Sequence, residues 1–392
     1  MADDRTDMAS SLPLTAATKR QQLNTSTETL SSSLLPTLPF DVISEILCRL
    51  PVKLLLQLSC LCKSWKSLIS DPKFTKKHLR MSTTLHHIMV TSTDDSHELV
   101  LFGSPISSVL SISRVTQTQL SYPSSLTFEY GERSDVCSCD GILCINVCFH
   151  PSAILWNPSI RKFKVLPPLE KIQCKRVPFS IYSFGYDHFI DNYKIIVVSS
   201  CINKSEVCIL TLGTDYWRRI KDFPYDGPLH ESGIFVSGTV NWLAIDNSSS
   251  NSSLRAIVSL DLENESYKKL PHPDLENELW TLGVLTDCLC IFTSSDIFFD
   301  IWVMKEYGNK ESWTKLYNVP YMEDRGLSSY TKVLYVSEDD KMLMEFYELG
   351  SSKLKLVVYD SKNGTLKIPV IQNINRRMDP KVYIESLISP CS

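Results

Sequence analysis

The chain has 392 residues, enough for two or three domains or for one small domain beside a large one. Hydrophobic residues make up 43% and charged residues 21%, the balance of a protein with a full core. The net charge of −4 leaves no basic surplus for neutralising phosphates, so nucleic acid is not an expected partner. No apolar run reaches the roughly 18 residues needed to cross a bilayer, and no membrane is expected. The N-terminus, MADDRTDMASS, has no hydrophobic signal core, and Asp3, Asp4 and Asp7 argue against a transit peptide. A cytoplasmic or nuclear address follows, and the thirteen cysteines are expected to be reduced thiols.

Residues 1–35 are polar, rich in serine and threonine and without periodicity, and read as a disordered leader. From Leu38 to Leu79 the pattern predicts three short helices. Val42, Ile43, Ile46, Leu47 and Leu50 recur at helical spacing as one apolar stripe. Pro39 fits the first turn of that helix, and Pro51 ends it. Leu54, Leu55 and Leu58 make a second helix; Trp65, Leu68 and Ile69 form the inner face of a third, closed by Asp71-Pro72. So small a unit cannot bury all this apolar surface, which points to a protein partner. An ordinary helical hairpin whose leucines are only core is the alternative. Lys73, Lys76, Lys77 and Arg80 read as a solvated face at its end.

Near Ser82 the helical periodicity gives way to short β-type runs, among them Leu99–Phe102, Ala153–Trp156, Glu206–Leu212, Phe298–Met304 and Leu354–Tyr359. Two landmarks repeat. One is a turn followed by an apolar strand: Asp140-Gly141, Asp191-Asn192, Ser237-Gly238, Thr286-Asp287 and Asp339-Asp340. The other is a large residue shortly before an apolar exit: Phe163, Trp217, Tyr267, Trp313 and Leu366. Both recur near every fifty residues, the period of a four-stranded propeller blade. Five copies follow residue 137. A sixth is expected from residues 85–130, closed by the C-terminal strand Val382–Ile388. A two-sheet sandwich is the structural competitor.

Cys137, Cys139, Cys144 and Cys148 with His150 resemble a ligand set. Along one strand, however, Cys144 and Cys148 would lie roughly 13 Å apart, too far to share one zinc ion. Small buried hydrophobes is the better reading. Histidines are scattered, and no Gly-x-Ser-x-Gly elbow, P-loop or Rossmann fingerprint occurs. No catalytic, cofactor-binding or metal residue is expected, and the channel positions read as mostly apolar and neutral. Trp156, Trp217, Trp242, Trp302 and Trp313 fall in strand patterns where large rings fill gaps between blades. The loops between second and third strands share a face with the inter-blade loops. On that face Tyr225, His230, Tyr321 and Arg325 are the candidates for contact with a target.

The helical segment resembles an F-box. Its Leu38-Pro39 opening, Ile46-Leu47-x-x-Leu50-Pro51 centre and Cys62-Lys63-x-Trp65 ending match that family's pattern. The resemblance implies docking onto the Skp adaptor of a cullin–RING (SCF) ubiquitin ligase through Leu38, Pro39, Ile43, Ile46, Leu47, Leu50, Pro51, Leu55, Leu58, Trp65 and Leu68. The repeats resemble the kelch-like, F-box-associated type 1 domain of plant F-box proteins, although the double glycine of true kelch blades is missing. Together they imply an α+β multidomain chain: a leader over 1–35, a three-helix F-box over 36–80, and an all-β propeller of about six kelch-like blades over 85–390. The implied function is that of a non-catalytic receptor subunit without cofactor, presenting a target protein for ubiquitination and proteasomal degradation. The alternative is a propeller enzyme or small-ligand sensor whose F-box serves regulation only.

Overall fold

The structure is a computed structural model. It describes residues 39–81, 85–93, 99–111, 114–115, 117–120, 134–147, 153–169, 179–201, 204–225, 229, 231–246, 254–275, 279–295, 298–320, 327–348, 354–371 and 379–391. The chain divides into two compact units, residues 1–43 and 44–392. The leader expected over 1–35 lies outside the described residues.

Helices α1 (Phe40–Leu47), α2 (Val52–Ser59) and α3 (Lys63–Ile69) form where the apolar spacing predicts them. Pro39 stands just ahead of α1 rather than in its first turn, and its carbonyl accepts from the Ile43 N–H at 3.2 Å. Pro51 is extended (φ −58°, ψ 147°) and breaks the chain between α1 and α2. A fourth helix, α4 (Pro72–Met81), follows. Asp71-Pro72 was read only as a stop, but it is also a start. The Asp71 carboxylate accepts from the Lys73 and Phe74 N–H groups at 2.8 and 3.1 Å, and proline suits the first helical position.

Among the described residues that follow, six four-stranded antiparallel sheets dominate, with a short helix at Ile106–Ser111. Blade 1 joins Asp379–Ile384, His86–Thr93, Leu99–Pro105 and Thr118–Leu120. Blade 2 runs Ser134–Cys139, Ile142–Val147, Ile154–Asn157 and Lys162–Val165. Blade 3 runs Phe179–Asp187, Asn192–Cys201, Lys204–Thr211 and Arg218–Arg219. Blade 4 runs Ile234–Val236, Thr239–Asp246, Leu254–Asp261 and Ser266–Leu270. Blade 5 runs Leu279–Leu285, Cys288–Ser294, Phe298–Met304 and Trp313–Pro320. Blade 6 runs Leu327–Val336, Lys341–Glu348, Leu354–Asp360 and Thr365–Lys367.

The first-named strand of every blade touches its counterpart in the next, and the circuit closes from blade 6 to blade 1. These are the innermost strands. The C-terminal strand pairs with His86–Thr93, so chain ends complete one sheet, as the sequence suggests. A parallel pair, Val370–Ile371 with Arg114–Val115, staples the same junction a second time. Six hydrophobic clusters fill the six blade interfaces. Side-chain alternation decides which interface a residue serves: Met342, Met344 and Phe346 pack toward blade 5, while Leu343 packs toward blade 1. A sandwich would bury one shared core between two sheets, and this chain buries six.

Both landmarks have physical content. Asp140-Gly141, Ser237-Gly238 and Thr286-Asp287 all have positive φ, as two-residue hairpin turns require. At Gly141 a Cβ would lie 2.5 Å from the Ile384 carbonyl oxygen, so no side chain fits where the C-terminal strand passes. The aromatic landmark clasps neighbours. Trp217 and Trp313 donate indole N–H bonds to the Pro167 and Pro271 carbonyls, and the Tyr267 hydroxyl donates to the Lys221 carbonyl. Each reaches the exit of the preceding blade.

Candidate functional site

The helical residues picked out by the F-box resemblance divide by burial. Leu47 and Leu55 are core, packed away with Cys48, Val52, Ile69 and Phe74 also buried. Ile43, Leu50, Leu58, Trp65 and Leu68 are half-buried, whereas Pro39, Ile46 and Pro51 are exposed. Leu38 lies outside the described residues. Ile46 and Leu54 leave 48% and 45% of their surface in water, and Leu61, in the turn after α2, leaves 72%. Phe40 and Val42 at the start of α1 are exposed too, so the apolar stripe is only partly covered. Phe40 and Leu61 stand at helical spacing with Ile43 and Leu47 and with Leu54 and Leu58, but neither is among the motif positions.

Helix α4 is not simply a solvated basic face. Lys77 pairs with Glu45, and their hydrogen bond holds the Glu45 carboxyl below the usual carboxylate range. His78, fully buried, has Nε2 at 2.9 Å from the Leu50 carbonyl oxygen. Lys76 Nζ lies 2.6 Å from Asp191 Oδ2, 3.1 Å from the Asp191 carbonyl and 3.2 Å from the Tyr186 hydroxyl. It also stands 5.4 Å from the centre of the Tyr186 ring. Leu79 packs against the cluster between blades 2 and 3. Asp191 belongs to the turn joining the first two strands of blade 3. That turn is at the opposite end of the blade from the inter-blade connections.

At the other end, where innermost strands begin, Tyr225 is half-buried and packs against the cluster of blades 3 and 4, so it is a packing ring first. His230, Tyr321 and Arg325 lie outside the described residues. The innermost strands are mostly apolar and neutral in sequence, with charge at a few positions. They carry Asp135, Lys332, Asp379 and Lys381. Lys332 Nζ reaches Glu231 at 3.7 Å, linking blade 6 to the segment entering blade 4. Burial works against the Lys381 ammonium, but Asp379, Glu345, Glu231 and Asp135 together hold it above the ordinary lysine range. Charge was missed because repeat averaging blurs single positions that differ from blade to blade.

Residues 35–77 match the F-box domain, and residues 90–390 match the F-box associated beta propeller domain. The chain belongs to the F-box proteins that carry an F-box-associated β-propeller. An F-box/kelch-repeat protein of Arabidopsis thaliana is 31% identical over 367 residues, covering 90% of this chain and 96% of that protein. The F-box protein CPR1 of the same plant is 26% identical, covering 91% and 89%. Among solved structures, a chain of the nidogen/laminin complex aligns with a TM-score of 0.46 at 10% identity, over 77% of this chain and 99% of that one.

In this F-box protein Cys48, Cys139, Cys144 and Cys290 are buried as small apolar groups, whereas Cys60, Cys62 and Cys391 are exposed. Cys137 and Cys144 oppose each other across the first two strands of blade 2. A hydrogen bond from Cys137, together with burial, pushes the Cys144 thiol well above its usual range; burial does the same to Cys139 and pushes Cys290 up to about 12. Among the described residues no three His, Cys, Asp or Glu side chains converge as a ligand set. Cys148 and His150 lie outside them.

Proposed function

We propose that this F-box protein is the substrate-recognition subunit of an SCF-type ubiquitin ligase. Its helices dock onto a Skp-family adaptor, and through it a cullin–RING assembly, while the propeller holds a target protein for ubiquitination and degradation. One observation carries the reading: Ile46 and Leu54 on helices, and Leu61 in the turn after α2, hold large apolar side chains in water although the helices already have a core. Fully burying one such side chain is worth about 1.5–3 kcal/mol, so covering the group would supply a sizeable share of a binding energy. Pro39, Ile43, Ile46, Leu50, Pro51, Leu58, Trp65 and Leu68, with Leu38 ahead of them, are the proposed adaptor contacts, joined by exposed Leu54 and Leu61. Leu47 and Leu55 support the contacts from inside.

The mechanism is positional and asks no acid, base or nucleophile of this chain. Tethering a target beside the ligase's thioester raises its effective concentration and fixes its approach. The proposed setting is the cytoplasm or nucleus. Affinity purification from plant cells tests the reading. The full chain should bring down a Skp-family adaptor, and a form lacking residues 39–81 should not. Equal recovery from both would defeat it.

A further inference from the structure

Four consecutive residues of α4 alternate between two attachments. Lys77 and His78 face the helical side, through Glu45 and the Leu50 carbonyl. Lys76 and Leu79 face the propeller side, through Asp191, Tyr186 and the apolar cluster of blades 2 and 3. Helical geometry explains the alternation, since positions 76 and 79 lie nearly one turn apart on one face and 77 and 78 lie off it. A single helix therefore belongs to both structures, and residues 44–392 form one compact unit.

The propeller side of the joint is itself braced. Tyr186 bonds the Asp191 carboxylate and packs edge-on against Tyr193, ring centres 4.9 Å apart. Tyr193 stacks on Phe184 and donates to Asp140 at 2.8 Å, and Asp140 sits in the first hairpin turn of blade 2. Lys76 thus grips a side-chain network that spans two blades. The apolar contact at Leu79 fixes the helix axially, and the Lys76 contacts fix its rotation. Two unlike contacts one turn apart define an orientation that one contact would leave free.

We infer that Lys76, Leu79, Asp191 and Tyr186 form a positioning joint that sets where ubiquitin is delivered, not how tightly adaptor or target is held. This rests on the receptor reading above. In the transfer, a lysine ε-amine attacks the thioester carbonyl of the E2-bound ubiquitin. An isopeptide bond forms, the C–S bond breaks, and the E2 cysteine leaves as thiol carrying the amine's proton. The chain contributes no atom to that step. It contributes the angle from which the amine arrives, and productive attack tolerates little misplacement. A rigid joint would therefore restrict delivery to a few lysines, and a loose one would spread it.

The test uses the full chain, with its own lysines as the probe substrate in a reconstituted adaptor–cullin–RING–E2 reaction. Wild type should modify a restricted set of lysines. Lys76→Ala and Asp191→Ala should keep adaptor affinity within twofold, slow the dominant site severalfold and add new sites. Lys76→Arg, which keeps the ion pair, should restore the wild-type pattern. An unchanged site pattern in both alanine variants would overturn the proposal. Hydrogen exchange of the free chain supplies a measurement independent of the adaptor: amides of α4 and of residues 188–192 should exchange at least fivefold faster in Lys76→Ala. Failure of wild type to bind adaptor strikes the receptor reading alone. Unchanged exchange strikes the joint, whatever the adaptor does.

Discussion

Lys194 Nζ lies 2.8 Å from Asp187 Oδ2, with both side chains almost sealed from water. The same ammonium donates to the Leu262 carbonyl and meets Glu265 at 3.2 Å, so a lysine of blade 3 holds the turn of blade 4. Asp187 also caps its own turn by accepting from the Phe189 and Ile190 N–H groups. Removing one member of a buried pair strands the other. Asp187→Ala should therefore cost about 3–5 kcal/mol. Asp187→Leu combined with Lys194→Met should cost clearly less than the two single changes summed, because no charge is left behind. Urea denaturation of the four variants (Asp187→Ala, Asp187→Leu, Lys194→Met and the double variant) checks both statements.

Glu265 gives that interface a pH dependence. Burial alone would push its carboxyl up, but hydrogen bonds and charge from Arg218 and Lys194 together outweigh burial and hold it below the usual range. A carboxyl whose folded value is depressed stabilises fully above its unfolded value, about 4.3. That contribution fades as pH falls from there through the folded value. Glu265→Gln should flatten the loss of stability below about pH 4.3 while lowering stability at pH 7. Denaturant midpoints at pH 7, 5, 4 and 3 measure the difference in slope.

One amide of blade 2 anchors the stretch that follows the C-terminal strand. Asn157 Nδ2 stands 3.1 Å from the Ser386 carbonyl, 3.0 Å from its hydroxyl and 2.8 Å from the Ile388 carbonyl, all in the interior. Asn157→Ala would leave buried acceptors without a donor, at about 1–3 kcal/mol for each one orphaned. Asn157→Asp should be worse, since it replaces donors with a charge that only accepts. A lowered melting temperature in both, larger for the aspartate, is the expected outcome of calorimetry.

Much of this architecture is legible in the residues. The hairpin turns declare themselves because Asp-Gly and Ser-Gly suit positive φ, and the spacing of those turns gives the blade period. The strand Phe298–Met304 falls where its apolar run predicts. What escapes is whatever depends on residues far apart in sequence. Nothing local to Lys76 says that it will meet Asp191, so a cation bound to a carboxylate reads as a solvated one. Motif matching picks the F-box positions without separating the core leucines from exposed Ile46.

The helical core and its surface should respond differently to substitution. Leu55 is fully buried, so Leu55→Ala removes packed methyl groups and should cost about 2–5 kcal/mol of stability. Its effect on adaptor binding should follow the loss of fold. Circular dichroism during thermal melting separates that outcome from a surface defect.

The most direct measurement is a calorimetric titration of purified full chain with purified Skp-family adaptor, wild type against the double variant Ile46→Asp, Leu54→Asp. Both positions are exposed, so the variant should melt like wild type and still lose at least a hundredfold in affinity, about 2.7 kcal/mol. A wild-type chain that gives no heat of binding, or a folded variant that binds as tightly as wild type, would contradict the receptor assignment.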